Sequence, residues 1–231
     1  MKKYSDNPRA RFTARHQKCL SLCGNVKDKV VLNIGCYNGW FEVAMIKSGV
    51  KKVIGIDTND NFVKSAKQSA PKAKILKMSA MKLNLPENFF DLITIFDVIE
   101  HLPRNKVKKA LREIYKVTKP NGRLIISTPN QSFFSNLLDP AWYFGHRHYQ
   151  IDKLSSLLLS SGFKPKKNEV KGGVGELTSM IFLYVFKLLG FEIPFKELSD
   201  KIRRKEYLDP TYSGFATIFI TASPTKNEKK G

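Results

Sequence analysis

At 231 residues with 42% hydrophobic content, the chain suits a single α/β domain with a substantial core, and no internal repeat or low-complexity block argues otherwise. Forty Lys and Arg against 20 Asp and Glu leave a formal charge of +20, enough to attract a polyanion such as nucleic acid or an anionic membrane surface. The lysines are scattered through every segment, which excludes a single basic arm and suits a solvated surface equally well.

The first 17 residues, MKKYSDNPRARFTARHQ, lack the apolar stretch of a secretory signal, so a cytoplasmic protein is expected. Cys19, Cys23 and Cys36 fit that compartment. Their odd number and the absence of a CxxC pair argue against a disulfide framework and a zinc site. Residues 8–24 read as the first helix, with Pro8 near its start and Gly24 at its end. Its Arg9, Arg11, Arg15 and Lys18 line either a substrate entrance or a wet face.

The stretch VVLNIGCYNGW over 30–40 organises the rest. Val30, Val31, Leu32 and Ile34 read as a buried strand, Gly35 and Gly39 as a tight loop, and 41–48 as the helix that follows. Glycine lets the backbone close on a ligand, and the N–H groups opening the helix then point at an anionic or polar small molecule. A second strand over 52–56 runs into Asp57, about 20 residues beyond the glycines, where a βαβ nucleotide fold places its acceptor for two ribose hydroxyls. A nucleoside-containing ligand is the consequence.

Further along, 61–69 reads as a helix, 73–78 and 92–96 as strands, and 106–117 as a helix that stops before Pro120. Asn121 and Gly122 turn into a strand over 123–127, and a helix over 155–161 ends at Gly162. This alternation predicts an α/β fold: a doubly wound, mostly parallel sheet with helices on both faces. Five segments are expected: an N-terminal helical segment (1–28), the α/β core (29–171), a helical insert (172–213), a last core strand (214–223) and a disordered charged tail (224–231).

The series VLNIGCYNGW, VIGIDTND, SAMKLNLPENFFDLI, FDVIEHL and KPNGRLIISTPN, in that order and spacing over 30–163, resembles the motif ladder of class I S-adenosylmethionine-dependent methyltransferases. It is most similar to the branch that methylates oxygens of small molecules, quinone precursors and glycans. The resemblance implies a seven-stranded Rossmann-like sheet whose last strand, GFATIFITAS, is antiparallel. It also implies S-adenosyl-L-methionine as cofactor and S-adenosyl-L-homocysteine as product.

Carried onto this sequence, the resemblance has Gly35, Cys36 and Gly39 wrap the methionine part of the cofactor, with Asn33 and Tyr37 in the same loop. Asp57 takes the ribose. Thr58, Phe62, Ser79 and Ala80 approach the adenine, Asp97 lies beside the methyl group, and His101 opens the next helix near the same pocket. Glu100 and His101 also read simply as caps of that helix. Three positions depart from the pattern, since the family has acids where this chain has Asn33 and Ser79, and glycine where it has Tyr37. Neither Asn nor Ser pairs with an ammonium or adenine amino group as a carboxylate does, and each loss costs about 1–3 kcal/mol in a partly buried site.

A sulfonium methyl needs mainly an in-line nucleophile, and a hydroxyl nucleophile gains from a base. His146 and His148, in GHRHYQ, are the candidate bases, or else they order the loop that carries them. The chain lacks the Asn/Asp-Pro-Pro-aromatic tetrapeptide that holds flat amino groups, which favours oxygen as acceptor over a nucleobase nitrogen. The insert contains LTSMIFLYVFKLLGFEIPF, yet only the ten residues 177–186 separate Glu176 from Lys187, too few for the roughly 20 that cross a bilayer. A core or dimer helix, or a lid that meets a lipid-like acceptor, remains, with the basic KIRRKEY beside it suiting an anionic membrane surface. The expected partner is a small-molecule or lipid-linked acceptor, and the chain is monomeric or a homodimer. An RNA or ribosomal methyltransferase, or a catalytically degenerate interaction protein on the same fold, stand as alternatives.

Overall fold

Val30, Leu32 and Ile34 alternate with Val31 and Asn33, and all five are buried, which demands a strand in mid-sheet with both faces covered. The computed structural model describes residues 13–138, 142, 147–189 and 196–227. It places β1 (Val30–Ile34), β2 (Lys52–Asp57), β3 (Lys74–Lys77), β4 (Phe90–Phe96), β5 (Thr118–Pro129), β6 (Phe163–Lys171) and β7 (Thr217–Pro224) in one seven-stranded sheet of order β3-β2-β1-β4-β5-β7-β6. The pairings of β1 through β5 are parallel. β7 runs antiparallel between β5 and β6, as expected for the last strand.

The helices are α1 (Ala14–Cys23), α2 (Trp40–Lys47), α3 (Asp60–Ser69), α4 (Val107–Val117), α5 (Phe133–Leu138), α6 (Ile151–Leu159), α7 (Val174–Leu189) and α8 (Lys196–Leu208). α4 buries Val107, Ala110, Leu111, Ile114 and Val117, a spacing of three and four that puts one apolar stripe on the sheet. With Leu154 and Leu158 of α6 it covers the face formed by Leu32, Ile34, Ile54, Ile93, Ile95 and Ile126. Phe41 and Met45 of α2, with Cys23 of α1, cover the opposite face against Val31, Val53, Leu92 and Ile125. The three cysteines are buried and unpaired.

Several boundaries differ from the sequence reading. α1 starts at Ala14, where the Thr13 side chain caps it and His16 caps back; the expected residues 8–12, with Arg9 and Arg11, lie outside the described residues. β5 begins at Thr118, and Asn121 and Gly122 fall in an irregularity of its pairing with β4. α6 starts at Ile151, four residues before the expected 155. β6 carries no apolar alternation because it is an edge strand, and its exposed Lys164, Lys166 and Lys167 discourage pairing with another chain. The tail expected to be disordered over 224–231 starts as ordered chain: Pro224 closes β7, Thr225–Asn227 form a 3-10 turn, and Lys226 donates to the Thr118 carbonyl at 2.7 Å. Residues 228–231 lie outside the described residues.

Candidate functional site

The strand order reverses at β1 and β4, and in open α/β sheets ligands lie beyond the carboxyl ends of strands at that switch point. Gly35 leaves β1 at φ +83°, and a Cβ there would stand 2.2 Å from Val98 Cγ2. Only glycine therefore lets the β1 loop lie against the turn that follows β4 and carries Asp97. Gly39, at φ +81°, makes the same close approach to the Ala66 backbone of α3.

The N–H groups of Gly35 and Cys36 both donate to the Ile56 carbonyl, at 2.8 and 3.0 Å, so they fasten the loop to β2 and are not offered to a ligand. The Asp57 carboxylate completes the junction. Its Oδ2 accepts the Tyr37 N–H at 3.2 Å and its Oδ1 accepts the Asn59 N–H at 3.0 Å. Each oxygen retains acceptor capacity for a further donor, the geometry expected of a group that chelates two hydroxyls. Tyr37 sits at φ +45°, the left-handed region, which explains on conformational grounds why glycine suits this position better. Its exposed ring meets that of Phe62 edge-on at 4.6 Å, forming an aromatic wall beside Asp57.

On the same flank, Thr58 is exposed. The Met78 N–H donates to the Asp57 carbonyl at 3.0 Å, which brings the chain carrying Ser79 and Ala80 to the tip of β2. The Ser79 hydroxyl accepts the Met81 N–H at 3.2 Å, and Ala80 is buried in the main core.

Asn33 does not open onto the cleft. It is buried, its amide nitrogen donates to Glu42 Oε1 at 2.8 Å, and its Oδ1 accepts from the Thr94 hydroxyl at 2.9 Å. A carboxylate thus reaches the Asn33 amide from α2, a residue sequence reasoning overlooked; a lone carboxylate inside the apolar run WFEVAMIK was the available signal. Burial, offset in part by the Asn33 hydrogen bond, pushes the Glu42 carboxyl up to about 7. Its Oε2 is buried and finds no hydrogen-bond partner among the described residues. The Cys36 thiol is likewise raised by burial and by the charges of Glu42 and Asp57, so it stays protonated.

At the β4 tip Asp97 adopts φ +55°, its N–H bonded to the Ser127 carbonyl at 3.0 Å. Its carboxylate accepts from the Ser127 hydroxyl at 2.9 Å and from the Arg15 guanidinium of α1. Arg15 is therefore neither an entrance residue waiting for substrate nor a wet face. Glu100 is buried and accepts from the Thr128 hydroxyl at 3.1 Å; burial, then the neighbouring Asp97 charge, hold its carboxyl above the usual range. His101 ends the 3-10 turn Ile99–His101 and is exposed. The N-cap of that turn is Val98, which makes no side-chain cap hydrogen bond.

His146 lies outside the described residues. His148 is buried, with Nδ1 2.8 Å from Asn136 Oδ1 and its ring 4.8 Å from that of Trp142. Between the two histidines Arg147 donates to the carbonyls of Ile99, Glu100 and Leu102, and the Tyr149 hydroxyl donates to Ile99. These bonds lock the 147–149 segment onto the turn after β4. The structure thus gathers Gly35, Cys36, Tyr37, Asp57, Phe62, Ser79 and Asp97 near the carboxyl ends of β1 to β4, keeps Asn33 buried within β1, and fixes His148 on an adjoining segment. Among the described residues no group of three His, Cys, Asp or Glu side chains could hold a metal ion.

Residues 32–126 match the family model described as a methyltransferase domain. A Mycobacterium tuberculosis protein described as a "probable S-adenosylmethionine-dependent methyltransferase" is 32% identical over 151 residues, which cover 64% of this chain and 54% of the relative. The tRNA U34 carboxymethyltransferase of Helicobacter pylori is 33% identical over 110 residues, 45% of this chain and 41% of that protein. The chain spans about half the length of the curated relatives it matches. The crystal structure of a SAM-dependent methyltransferase from Archaeoglobus fulgidus superposes with a TM-score of 0.66 at 22% identity, covering 91% of this chain and 94% of the other. At that identity the likeness speaks to fold alone, and the fold is the Rossmann-like methyltransferase fold. Over residues 32–126 the chain is thus similar to a methyltransferase domain.

Proposed function

We propose that the protein binds S-adenosyl-L-methionine in the cleft at the ends of β1, β2 and β4 and transfers its methyl group to an oxygen of a small or lipid-linked acceptor, a quinone precursor or a glycan. The observation that carries this reading is Asp57. Its carboxylate ties the glycine loop to the β2 tip and keeps lone-pair capacity on both oxygens, as two ribose hydroxyls would need, beside an aromatic wall that suits an adenine face.

The chain's own residues have limited work to do, because the sulfonium supplies the electrophile when the cofactor is bound. The loop from Gly35 to Gly39 lines the methionine portion. Asp97, held by Arg15 and Ser127, fixes charge and shape at the methyl end. The proton of a hydroxyl acceptor passes to His146 or His148 in this reading, and the Asn136 contact orients the His148 ring for it.

The test is equilibrium binding of labelled S-adenosylmethionine, followed by methyl transfer into extract fractions. Absence of both in the folded protein overturns the reading. Replacement of His146 or His148 should spare cofactor binding and lower turnover. A second reading, an RNA acceptor, is favoured by the +20 charge and by the tRNA-modifying relative. It requires RNA affinity that falls steeply with salt, and no RNA binding at low salt removes it. Thermal stabilisation by S-adenosylhomocysteine counts against a third, a cofactor-less interaction protein on the same fold.

A further inference from the structure

α7 and α8 leave large apolar side chains in water in a pattern that single exposed residues would not give. On α7, Val174 is 61% exposed, Phe182 51% and Val185 44%, and exposed Thr178 completes a row spaced by four, four and three. That spacing is one stripe of a helix. On α8, Leu198 is 58% exposed and Ile202 44%, with Lys201, Arg204 and Lys205 exposed around them.

The two helices run antiparallel. Ser179 meets Ser199, Glu176 pairs with Arg203 at 2.5 Å, and Gly175 lies against Ile202 and Glu206, so numbers rise along one helix as they fall along the other. At 100° per residue, the exposed row of each helix stands about a quarter-turn before its own contact line. Because the second helix is reversed, the same rotational offset carries both rows to the same side of the pair. One continuous outer face results, apolar along α7 and alternately apolar and basic along α8. α5 packs against α7 and leaves Phe133 and Leu137 exposed beside it.

We propose that this face docks the protein on an anionic lipid bilayer. Side chains of Leu, Val, Ile and Phe enter the headgroup boundary, while lysine and arginine stems lie along it with their charges at the phosphates. A net charge of +20 attracts such a surface and opposes a second copy of the chain. RNA would ask for a platform of aromatic rings, whereas the pair exposes mainly aliphatic groups with Phe182. The docking is peripheral, because among the described residues no helix is long and apolar enough to cross a membrane.

The face also stands in a useful place. α8 packs on α1, and α1 reaches the β4 tip through the Arg15–Asp97 pair. Bilayer docking would thus hold at the lipid surface the helix pair that adjoins α1, with the exposed row on the side of α8 away from the Tyr207 contact with α1. This deepens the lipid-linked acceptor of the proposed function and rests on that reading for its purpose, although the binding itself can be measured without it.

The experiment is flotation of the full chain with phosphatidylcholine vesicles, with or without about one-third phosphatidylglycerol, with S-adenosylhomocysteine binding measured in parallel. Wild type should float with the anionic vesicles alone and release them as salt rises. The Phe182→Ser/Leu198→Ser and Lys201→Glu/Lys205→Glu variants should each bind about tenfold or more weakly, with S-adenosylhomocysteine affinity unchanged. Failure of folded wild type to float, or variants that float equally well, overturns the proposal. So does loss, in the same variants, of binding to single-stranded RNA or of a dimer in sedimentation velocity without vesicle binding, since either assigns the face to another occupant. Flotation without S-adenosylhomocysteine binding sinks the methyltransferase reading and leaves the docking surface standing.

Discussion

Asn33 at the end of β1 and Glu42 in α2 share a buried hydrogen bond of 2.8 Å, and Thr94 of β4 holds the other side of the same amide. The amide and the carboxyl make a matched pair, so an acid at position 33 would face another acid. Asn33→Asp should therefore destabilise the fold by about 2–4 kcal/mol near neutral pH, because two carboxyls would share a dry site. Asn33→Asp combined with Glu42→Gln should recover most of that loss. Urea denaturation of the four proteins of this cycle at about pH 5, where Glu42→Gln alone is nearly neutral, measures the coupling, and additive effects of the two changes would contradict the pairing.

The raised Glu42 carboxyl sets a pH dependence. Between its ordinary value of 4.5 and about 7, the folded protein keeps a proton that the unfolded chain has released. Stability contributed here is accordingly greatest below that window and falls as pH rises through it. Glu42→Gln, which mimics the protonated form, should be nearly neutral at about pH 5 and stabilising by up to about 3 kcal/mol at about pH 8. Parallel melting curves of parent and variant across that range check it.

Asp57→Ala removes the acceptor for the Tyr37 and Asn59 N–H groups as well as the proposed ribose ligand. Cofactor affinity should fall a hundredfold or more, a loss of about 3 kcal/mol, as measured by calorimetry with S-adenosylhomocysteine. Circular dichroism should show an intact fold.

Gly35→Ala places a methyl where Val98 Cγ2 stands and keeps a backbone that L residues avoid. About 2–4 kcal/mol of stability should be lost, and cofactor binding with it, because Val98 and Asp97 must move. Gly49→Ala, at φ +77° with only the flexible Lys27 side chain 3.7 Å away, should cost about 1 kcal/mol. Comparing the two by thermal unfolding separates the close approach from the strain.

Arg15→Met should destabilise the protein by about 1–3 kcal/mol, since among the described residues Asp97 then keeps only the Ser127 hydroxyl as side-chain hydrogen-bond donor and the ion pair is partly shielded from water. The Ser127→Ala change should cost about 1 kcal/mol. Denaturant midpoints check both.

The sheet was legible because its strands are buried on both faces. Such strands read as unbroken apolar runs, and β1, β2 and β4 stood out on that ground alone. Edge strand β6 did not, since KPKKNEVK spends its side chains on solvent and carries no period to detect. Gly35, Gly39 and Asp57 were visible as a spaced set, for the turn demands glycine and the strand tip demands an acid at a fixed separation.

What sequence determined by itself was the order of the core strands and helices and the spaced glycines and acid at the strand ends, since local periodicity and turn chemistry act over a few residues. The tertiary structure alone decided the pairings across long separations. Arg15 reaches Asp97 over 82 positions, Arg147 reaches the turn after β4 from nearly 50 away, and Glu42 completes Asn33 across a helix-to-strand contact. Charged side chains of this kind look like a wet surface in one dimension. Only packing, by removing water from around them, turns each into a partner for one particular group.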